Sequence, residues 1–213
     1  MKTKLLFSSF PFISCEKVTL TQITDLNLDS LWEIMGDDEN YRFSPTAALR
    51  SREEAAVKLR QIGTLFRDRQ MIVLGIFSND SLNQLLGIFE ITGFDTEVNE
   101  VTVNFTLGRR HTGFGYASAA LRAAVKYLFD TIEVNRIQCY VLPINYRAVL
   151  VLERCGFVKE GTIREGFCWP DKGIVDLSLY SMLSSDRRQK RSGSAYYPVS
   201  YTHLRAHETE ADL

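Results

Sequence analysis

The hydrophobic pattern of the first third of the chain predicts one short strand and two helices. Aliphatic residues and threonines alternate within 18–23, which is typical of a strand with one buried face. Apolar residues then recur three and four positions apart over 28–35, where Asp25 is the expected cap, and again over 55–66. Ser51, with a glutamate three residues later, forms a capping box that predicts the start of the second helix.

Beyond residue 70 the apolar spacing changes to that of strands. The apolar runs 71–77 and 85–91 are separated by the turn signal Ser78-Asn79-Asp80-Ser81, so they predict a hairpin. Over 98–107 the alternation is regular, with valine, phenylalanine and leucine on one face and glutamate, threonine and asparagine on the other. This stretch therefore predicts a strand with one apolar and one polar face.

Strands and helices alternate in the second half of the chain. An alanine-rich stretch follows a polar turn that contains glycine, and its small side chains would let a helix pack closely on a sheet. The predicted elements are a helix over 116–130, a strand over 137–142, a helix from Asn145 to Gly156, and strands over 157–163 and 174–182. Two early helices, an antiparallel meander and this alternation predict a mixed α/β (α+β) fold.

The domain organisation follows from where these patterns stop. Residues 1–184 are predicted to form one domain, and residues 185–198 a basic and polar tail. Residues 199–209 match, residue for residue, the translation of a transposase-type sequencing adapter. We therefore interpret 199–213 as disordered read-through and leave it out of the fold prediction. This exclusion leaves His111 as the histidine of the domain, which argues against serine or cysteine hydrolase chemistry.

Composition and charge exclude several classes of function. A chain of 213 residues with 45% hydrophobic and 24% charged residues is typical of a globular domain. Its 25 basic and 26 acidic residues give a net charge of −1, which provides no electrostatic footprint for nucleic acid or an anionic membrane. Four widely spaced cysteines without a Cys-x-x-Cys predict the reduced thiols of a cytoplasmic protein, with no disulfide framework and no metal site.

The N-terminal residues superficially resemble an export signal. Two lysines precede the apolar run 5–13, and Cys15 follows it. Two serines and a proline interrupt that run, and Phe12-Ile13-Ser14-Cys15 is a poor lipidation box. We therefore interpret this segment as part of the cytoplasmic domain. No other segment approaches the roughly 18 apolar residues of a membrane span.

The strongest local motif is Arg110-His111-Thr112-Gly113-Phe114-Gly115-Tyr116-Ala117, between a predicted strand and a predicted helix. Small residues let backbone N–H groups approach a phosphate, and the helix N-terminus adds partial positive charge. A mononucleotide P-loop would need Gly-Lys-Ser/Thr, which is missing. A dinucleotide fingerprint would need a parallel unit and a third glycine where Ser118 stands. The residues alone leave an anion site or a plain tight turn.

Two stretches carry a resemblance to a known family. The pattern Arg110-x-x-Gly113-x-Gly115-Tyr116-Ala117 resembles the acyl-CoA pyrophosphate loop of the GCN5-related N-acetyltransferase (GNAT) superfamily. The stretch from Asn145 to Gly161 is similar to the second signature of that superfamily. The opening and closing strands are most similar to the ribosomal-protein N-terminal acetyltransferase-like (RimJ/RimL-like) branch. The resemblance covers about residues 10–183.

This resemblance implies both a fold and a cofactor. The expected fold is GNAT-like, with a mostly antiparallel central sheet, helices on both faces, and a splay between the strands at 98–107 and 137–142. Pantetheine of acetyl-CoA would lie in that wedge, the pyrophosphate would sit on the glycine loop, and an amine would attack the thioester directly. The expected cofactor-binding residues are Phe105, Thr106, Leu107, Arg110, Gly113, Phe114, Gly115, Tyr116, Ala117 and Asn145.

The chain departs from the family pattern at the positions that carry proton transfer. Leu152 stands where relatives often have a tyrosine that protonates the thiolate, and Ala148 where the branch has a serine. A glutamate common on the long strand corresponds to Thr102. The remaining catalytic candidates are Glu100, which shares the polar strand face and could reach a substrate through water, and Glu90, which interrupts an apolar strand.

These residues favour an N-acetyltransferase that uses acetyl-CoA as co-substrate and needs no metal. The expected acceptor is a primary amine, foremost a protein or peptide N-terminus, and acceptor loops are expected at 36–50, 78–84 and 164–174. Three alternatives stay open, namely an idle acyl-CoA-binding or sensing domain, an acetyltransferase of a small amine or amino sugar, and a nicotinamide-dependent redox enzyme. The predicted partners are acetyl-CoA and the amine, without nucleic acid or membrane, for a monomer or homodimer.

Overall fold

The computed structural model describes residues 1–44, 46–169 and 172–187. The described residues contain eight strands, which are β1 (Ile13–Ser14), β2 (Val18–Thr21), β3 (Ile72–Ser78), β4 (Ser81–Asp95), β5 (Glu100–Leu107), β6 (Arg136–Val141), β7 (Val158–Trp169) and β8 (Gly173–Leu183). The helices are α1 (Thr3–Leu6), α2 (Leu28–Met35), α3 (Arg52–Arg67), α4 (Tyr116–Asp130) and α5 (Tyr146–Cys155), with short 3-10 turns at Asp25–Asn27 and Arg109–His111.

These strands form one sheet in the order β1-β2-β3-β4-β5-β6-β8-β7. Every neighbouring pair among the described strands is antiparallel except β5 and β6. The parallel pair needs a crossover, and α4 provides it. The predicted mixed α/β fold with a mostly antiparallel sheet is therefore confirmed.

The sheet opens between β5 and β6. Their pairing covers three residues of each strand and ends at Thr102 and Gln138. Beyond that point β5 stays paired with β4 as far as Leu107, but it has no partner on the β6 side. The two strands therefore diverge into a wedge, as the resemblance implied.

Helices cover both faces of the sheet. On one face the small and aliphatic side chains of α4, among them Ala120, Leu121 and Leu128, are fully buried against the strands. On the other face α2 and α3 pack Leu31 and Ile62 against β3 and β4. We call the second face the α2/α3 face. Two apolar cores on opposite sides hold the central strands in place, which fixes the position of the wedge.

The N-terminal apolar run packs into the first of these cores. Leu6 is fully buried in α1, and the ring of Phe10 stacks on Phe66 of α3 with 4.0 Å between ring centroids. The backbone N–H of Lys2 donates to the carbonyl of Ile132 at 2.7 Å. This segment is thus an integral part of the folded domain.

At the other end, described contacts with the domain continue to Arg187. Asp186 accepts a hydrogen bond from the Leu183 backbone N–H, and Arg187 donates to Asp130 at 2.8 Å. The adapter-like residues 199–213, and the tail residues after 187, lie outside the described residues. The division of the chain at 184 and 198 therefore stays a prediction.

Two further findings concern the described part of the chain. None of its helices combines the length and apolar character needed to cross a lipid bilayer. Its four cysteines are free thiols, and Cys139 is buried in the core, where burial raises its pKa to about 12.

Candidate active site

The glycine loop begins α4 in a conformation that exposes its first backbone N–H groups. Gly113 and Gly115 have φ of +91° and +83°, a left-handed region that residues with a Cβ rarely adopt. Gly115 is the N-cap of α4, and no side chain caps that helix. A Cβ on Gly113 would meet no other atom within 4 Å, so the space over the loop is open. The helix N-terminus is therefore a cradle with room for an anion.

Two arginines stand immediately before this loop, and each forms an ion pair with a carboxylate, one on α2 and one just after it. Arg110 Nη1 lies 2.5 Å from Glu33 Oε1, and Arg109 Nε lies 3.5 Å from Asp37 Oδ2. Both arginine side chains are largely exposed. The structure thus places Arg110 beside the loop with a carboxylate partner, and its contact with the cofactor stays a prediction.

The residues expected to bind pantetheine lie on the diverging part of β5. Phe105, Thr106 and Leu107 pair with β4 on one side only, because β6 has already separated from β5. Successive residues of a strand direct their backbone groups to opposite edges, so part of this backbone faces the wedge without a strand partner. An extended pantetheine arm, which carries two amide groups, is suited to pair with that edge.

Asn145 stands at the start of α5, across the wedge from β5. Its Oδ1 accepts a hydrogen bond from the Ala148 backbone N–H at 3.2 Å and so caps the helix. Capping uses the side-chain oxygen and leaves the Nδ2 donors for another partner. On the same helix Leu152 is fully buried in the core. That position therefore supplies no proton donor.

Glu100 lies at the closed end of the wedge, within a network that we call the Arg136 network. Its carboxylate forms an ion pair with Arg136 and accepts a hydrogen bond from Gln138 Nε2 at 2.7 Å. Arg136 also forms an ion pair with Glu160 at 2.5 Å, and Glu160 accepts from Ser181 Oγ at 2.6 Å. The hydrogen bond to Arg136 lowers the pKa of Glu160 to about 2. These residues link β5, β6, β7 and β8.

Glu90 has a different environment from Glu100. It lies opposite Asn104 in the β4–β5 pairing and opposite Val73 in β3, which places it on the α2/α3 face. Within the described ranges its carboxylate has neither a hydrogen bond nor an ion pair. Burial raises the pKa of Glu90, and the charge of Lys58 opposes that shift. A carboxylate without a partner and with a raised pKa can accept a proton from a substrate.

Tyr41 lies close to Glu90, and sequence reasoning missed it. Burial and the Glu90 charge both raise the pKa of this tyrosine, so its hydroxyl stays protonated. The loop that carries Tyr41 also meets the β7–β8 hairpin, because Lys172 Nζ donates to the carbonyl of Arg42 at 2.5 Å. Two of the three expected acceptor loops are thus in contact with each other. No hydrophobic period or motif in 36–50 marks Tyr41.

Within the described ranges, no group of three or more histidine, cysteine, aspartate and glutamate side chains is arranged to hold a metal ion. The chemistry available at the wedge is therefore that of a backbone anion cradle, an unpaired strand edge and one unpartnered carboxylate. These are the features that the family resemblance implied for an acyl-CoA site, and the roles of their residues stay a prediction.

Comparison with known proteins identifies the family. Residues 17–158, about two thirds of the chain, match the acetyltransferase (GNAT) domain family. The chain therefore belongs to this family and is an acyl-CoA-dependent N-acetyltransferase with acetyl-CoA as its co-substrate. It is similar to the uncharacterised N-acetyltransferase YoaA of Bacillus subtilis, with 24% identity over 174 residues that cover 82% of this chain and 97% of YoaA.

Two other similar proteins act on different kinds of amine. The ribosomal protein uS5-alanine N-acetyltransferase of Escherichia coli is 25% identical over 109 residues, which cover 51% of this chain and 56% of that enzyme. The structure of spermidine N-acetyltransferase from Vibrio cholerae, in complex with CoA and spermine, superposes with a TM-score of 0.69 at 20% identity and covers 79% of this chain and 96% of that one. The second likeness shows the fold alone.

Proposed function

We propose that this protein acetylates the N-terminal α-amine of a protein or peptide with acetyl-CoA. The observation that carries the proposal is the uncapped N-terminus of α4, begun by two left-handed glycines, at the open end of the wedge between β5 and β6. The cradle suits the pyrophosphate and the unpaired edge of β5 suits pantetheine. The thioester would then lie deeper in the wedge, towards the closed end.

The chemistry of the attacking amine favours an α-amine. The amine must be neutral, and a lysine side chain has a pKa of about 10.4 against about 7.7–8.0 for an α-amino group. At physiological pH the neutral form therefore costs roughly 4 kcal/mol for lysine and under about 1 kcal/mol for the α-amine. Among the described residues of the site, the candidate bases are carboxylates, and such a site handles the α-amine more easily than lysine.

Glu90 is the better candidate for general base. It lies one strand away from β5, about 5 Å in a sheet, on the polar side of the strand that would hold the cofactor. The amine nitrogen attacks the carbonyl carbon of the thioester, the carbon–sulfur bond breaks, and the amine proton passes to the Glu90 carboxylate directly or through water. Glu100 holds Arg136 and Gln138 instead, so its expected contribution is to position β5 and β6.

A second candidate function is an acyl-CoA-binding domain without turnover. The leucine at position 152 supports it, because a leucine cannot replace the tyrosine that protonates the thiolate in relatives. A small amine is the alternative acceptor, and it is supported by the similar structure of a spermidine N-acetyltransferase that contains spermine.

Thiol release across a panel of amines distinguishes these functions. The panel contains a peptide with a free α-amine, the same peptide acetylated at its N-terminus with an internal lysine, spermidine and an amino sugar. We expect the highest kcat/KM with the free α-amine. Faster turnover of spermidine or the sugar would overturn the proposed acceptor. Binding of acetyl-CoA without thiol release from any amine would establish the idle domain.

A further inference from the structure

The turn between β1 and β2 places a lysine beside the glycine loop, 98 positions away in sequence. Lys17 Nζ lies 3.8 Å from the point that a Cβ on Gly115 would occupy. The side chain of Lys17 is exposed, and within the described ranges no carboxylate oxygen lies within 4 Å of its ammonium. A cation without a counter-ion thus stands at the N-cap of α4.

The backbone of this turn is fixed by Asn79, from the turn between β3 and β4. Asn79 Nδ2 donates to the carbonyls of Cys15 and Glu16 at 2.5 and 3.1 Å, and the Asn79 backbone N–H donates to the carbonyl of Lys17 at 3.2 Å. Thr19 Oγ1 in turn donates to Asn79 Oδ1 at 2.8 Å. Three consecutive carbonyls are therefore tied to one residue, which directs Lys17 towards the loop.

The three basic side chains near the loop differ in whether they have a carboxylate partner. Arg109 and Arg110 already have carboxylate partners in Asp37 and Glu33, whereas Lys17 has none among the described residues. The first turn of α4 contains no acidic residue. A lysine next to a helix N-terminus is repelled by the helix dipole, and an anion between the two would be attracted by both.

We propose that Lys17 binds the pyrophosphate of CoA, and that Asn79 is the residue that positions Lys17. This inference rests on the proposed use of the glycine loop as the pyrophosphate site. The ammonium closes the Gly115 side of the cradle with a charge-assisted contact, while backbone N–H groups of α4 hold the phosphate from below. Arg110, paired with Glu33, then has a secondary part in phosphate binding.

The first test measures the Kd of acetyl-CoA by calorimetry. Lys17→Ala weakens binding by about tenfold, as expected for loss of one charge-assisted contact. Lys17→Arg retains binding to within about threefold, since the charge is kept. Lys159→Ala, which removes an exposed lysine of β7, leaves the Kd unchanged and is the matched control. An unchanged Kd in Lys17→Ala, with wild-type binding intact, would overturn this inference alone.

Shortened cofactors locate the contact. S-acetylpantetheine lacks every phosphate, so Lys17→Ala leaves its kcat/KM at the wild-type value. Dephospho-CoA lacks only the 3′-phosphate, so Lys17→Ala raises the Kd of dephospho-CoA by the same factor as the Kd of CoA. Loss of activity with S-acetylpantetheine would show that Lys17 acts through the fold, and loss of the penalty with dephospho-CoA would assign it to the 3′-phosphate. Either result overturns the pyrophosphate contact.

A double-mutant cycle tests the role of Asn79. Asn79→Ala weakens acetyl-CoA binding, and adding it to Lys17→Ala produces no further increase in Kd, because both changes remove the same contact. Additive effects would contradict a positioning role. Failure of the wild-type protein to bind acetyl-CoA at all would instead refute the proposed function.

Discussion

At the residue scale, Gly115 is the position on which we expect cofactor binding to depend most. Its φ of +83° strains any residue with a Cβ, and a valine side chain there would cover the first N–H groups of α4. We predict that acetyl-CoA raises the Tm of the wild type and not that of Gly115→Val, measured by thermal denaturation. Gly161→Val is the control, since a Cβ at Gly161 meets no atom within 4 Å. A normal shift in Gly115→Val would show that the pyrophosphate binds elsewhere.

The two candidate carboxylates should respond differently to the same substitution. Glu90→Gln removes the unpartnered proton acceptor and is predicted to lower kcat/KM for an α-amine peptide by about a hundredfold. Glu100→Gln should lower it only modestly, because the loss is one ion pair with Arg136. A collapse of more than a hundredfold in Glu100→Gln, with Glu90→Gln nearly active, would reverse these roles.

The pH profile provides a second test of Glu90. Because burial raises the pKa of Glu90, its carboxylate form appears only above that raised value. The kcat/KM for α-amine peptides should therefore rise with pH and reach a plateau near pH 8, where the amine becomes neutral. A profile that is flat from pH 5 to 8 in steady-state assays would contradict attack by the neutral amine. An acid limb that is unchanged in Glu90→Gln would argue against Glu90 as the proton acceptor.

Sequence reasoning identified candidate site residues only where a local constraint marks them. The glycines at 113 and 115 were identifiable because a strand-to-helix turn that exposes N–H groups needs small residues with positive φ. The partners of Glu100 could not be predicted, since Arg136 follows it by 36 positions and only the sheet order brings them together. Lys17 could not be predicted for the same reason, because only the fold brings it close to Gly115.

At the element scale, the Arg136 network makes the free energy of unfolding depend on pH in the acid range. The pKa of Glu160 is about 2 in the folded protein and about 4.3 in an unfolded chain. As the pH falls, Glu160 is therefore protonated in the unfolded chain before it is protonated in the folded protein, which favours unfolding. The stabilisation is complete above about pH 4.3 and is lost as the pH falls through about 2. We predict that Glu160→Gln flattens the fall in the free energy of unfolding over this range, measured by urea denaturation. Glu165→Gln, on the same strand, should leave it unchanged.

Several elements were predictable, whereas α1, β1, the cap before α2 and the extent of β7 were not. The helix over 116–130 is confirmed at both ends, and Ser51 caps α3 by accepting from the Glu54 N–H. Asp25 was the wrong cap, because Thr24 and Asn27 form the capping box and a 3-10 turn comes first. β7 extends to Trp169, beyond the predicted end at 163. Residues 158–166 are all exposed on the sheet edge, and an exposed strand carries no apolar alternation.

At the scale of the whole molecule, the contacts of Asp186 and Arg187 indicate that a truncation should follow residue 187 and not residue 184. Asp186 and Arg187 contact Leu183 and Asp130, whereas the adapter-like residues have no apolar periodicity. Truncation after Arg187 should therefore leave Tm and kcat/KM unchanged. Truncation after Leu183 should lower Tm by about 2–4 °C, the shift expected for about 1 kcal/mol in a chain of this size. A lower Tm after the first cut would show that later residues stabilise the domain.

The overall fold was predictable from the order of its elements together with the family resemblance. Local patterns identified strands and helices, but the position of β8 between β6 and β7 depends on long-range pairing that no local pattern records. The acceptor is the least predictable part, because the loops that meet at Lys172 and Arg42 carry neither apolar period nor motif.

The central claim is acetyl transfer from acetyl-CoA to an α-amine, and a matched peptide pair tests it most directly. One peptide has a free N-terminus and no lysine, and the other has a blocked N-terminus and one internal lysine. Acetylation of both is followed by mass spectrometry at pH 7.5 with saturating acetyl-CoA. We predict a kcat/KM at least about tenfold higher for the free α-amine, in line with the difference in amine pKa. Equal or higher kcat/KM for the lysine peptide would contradict the claim.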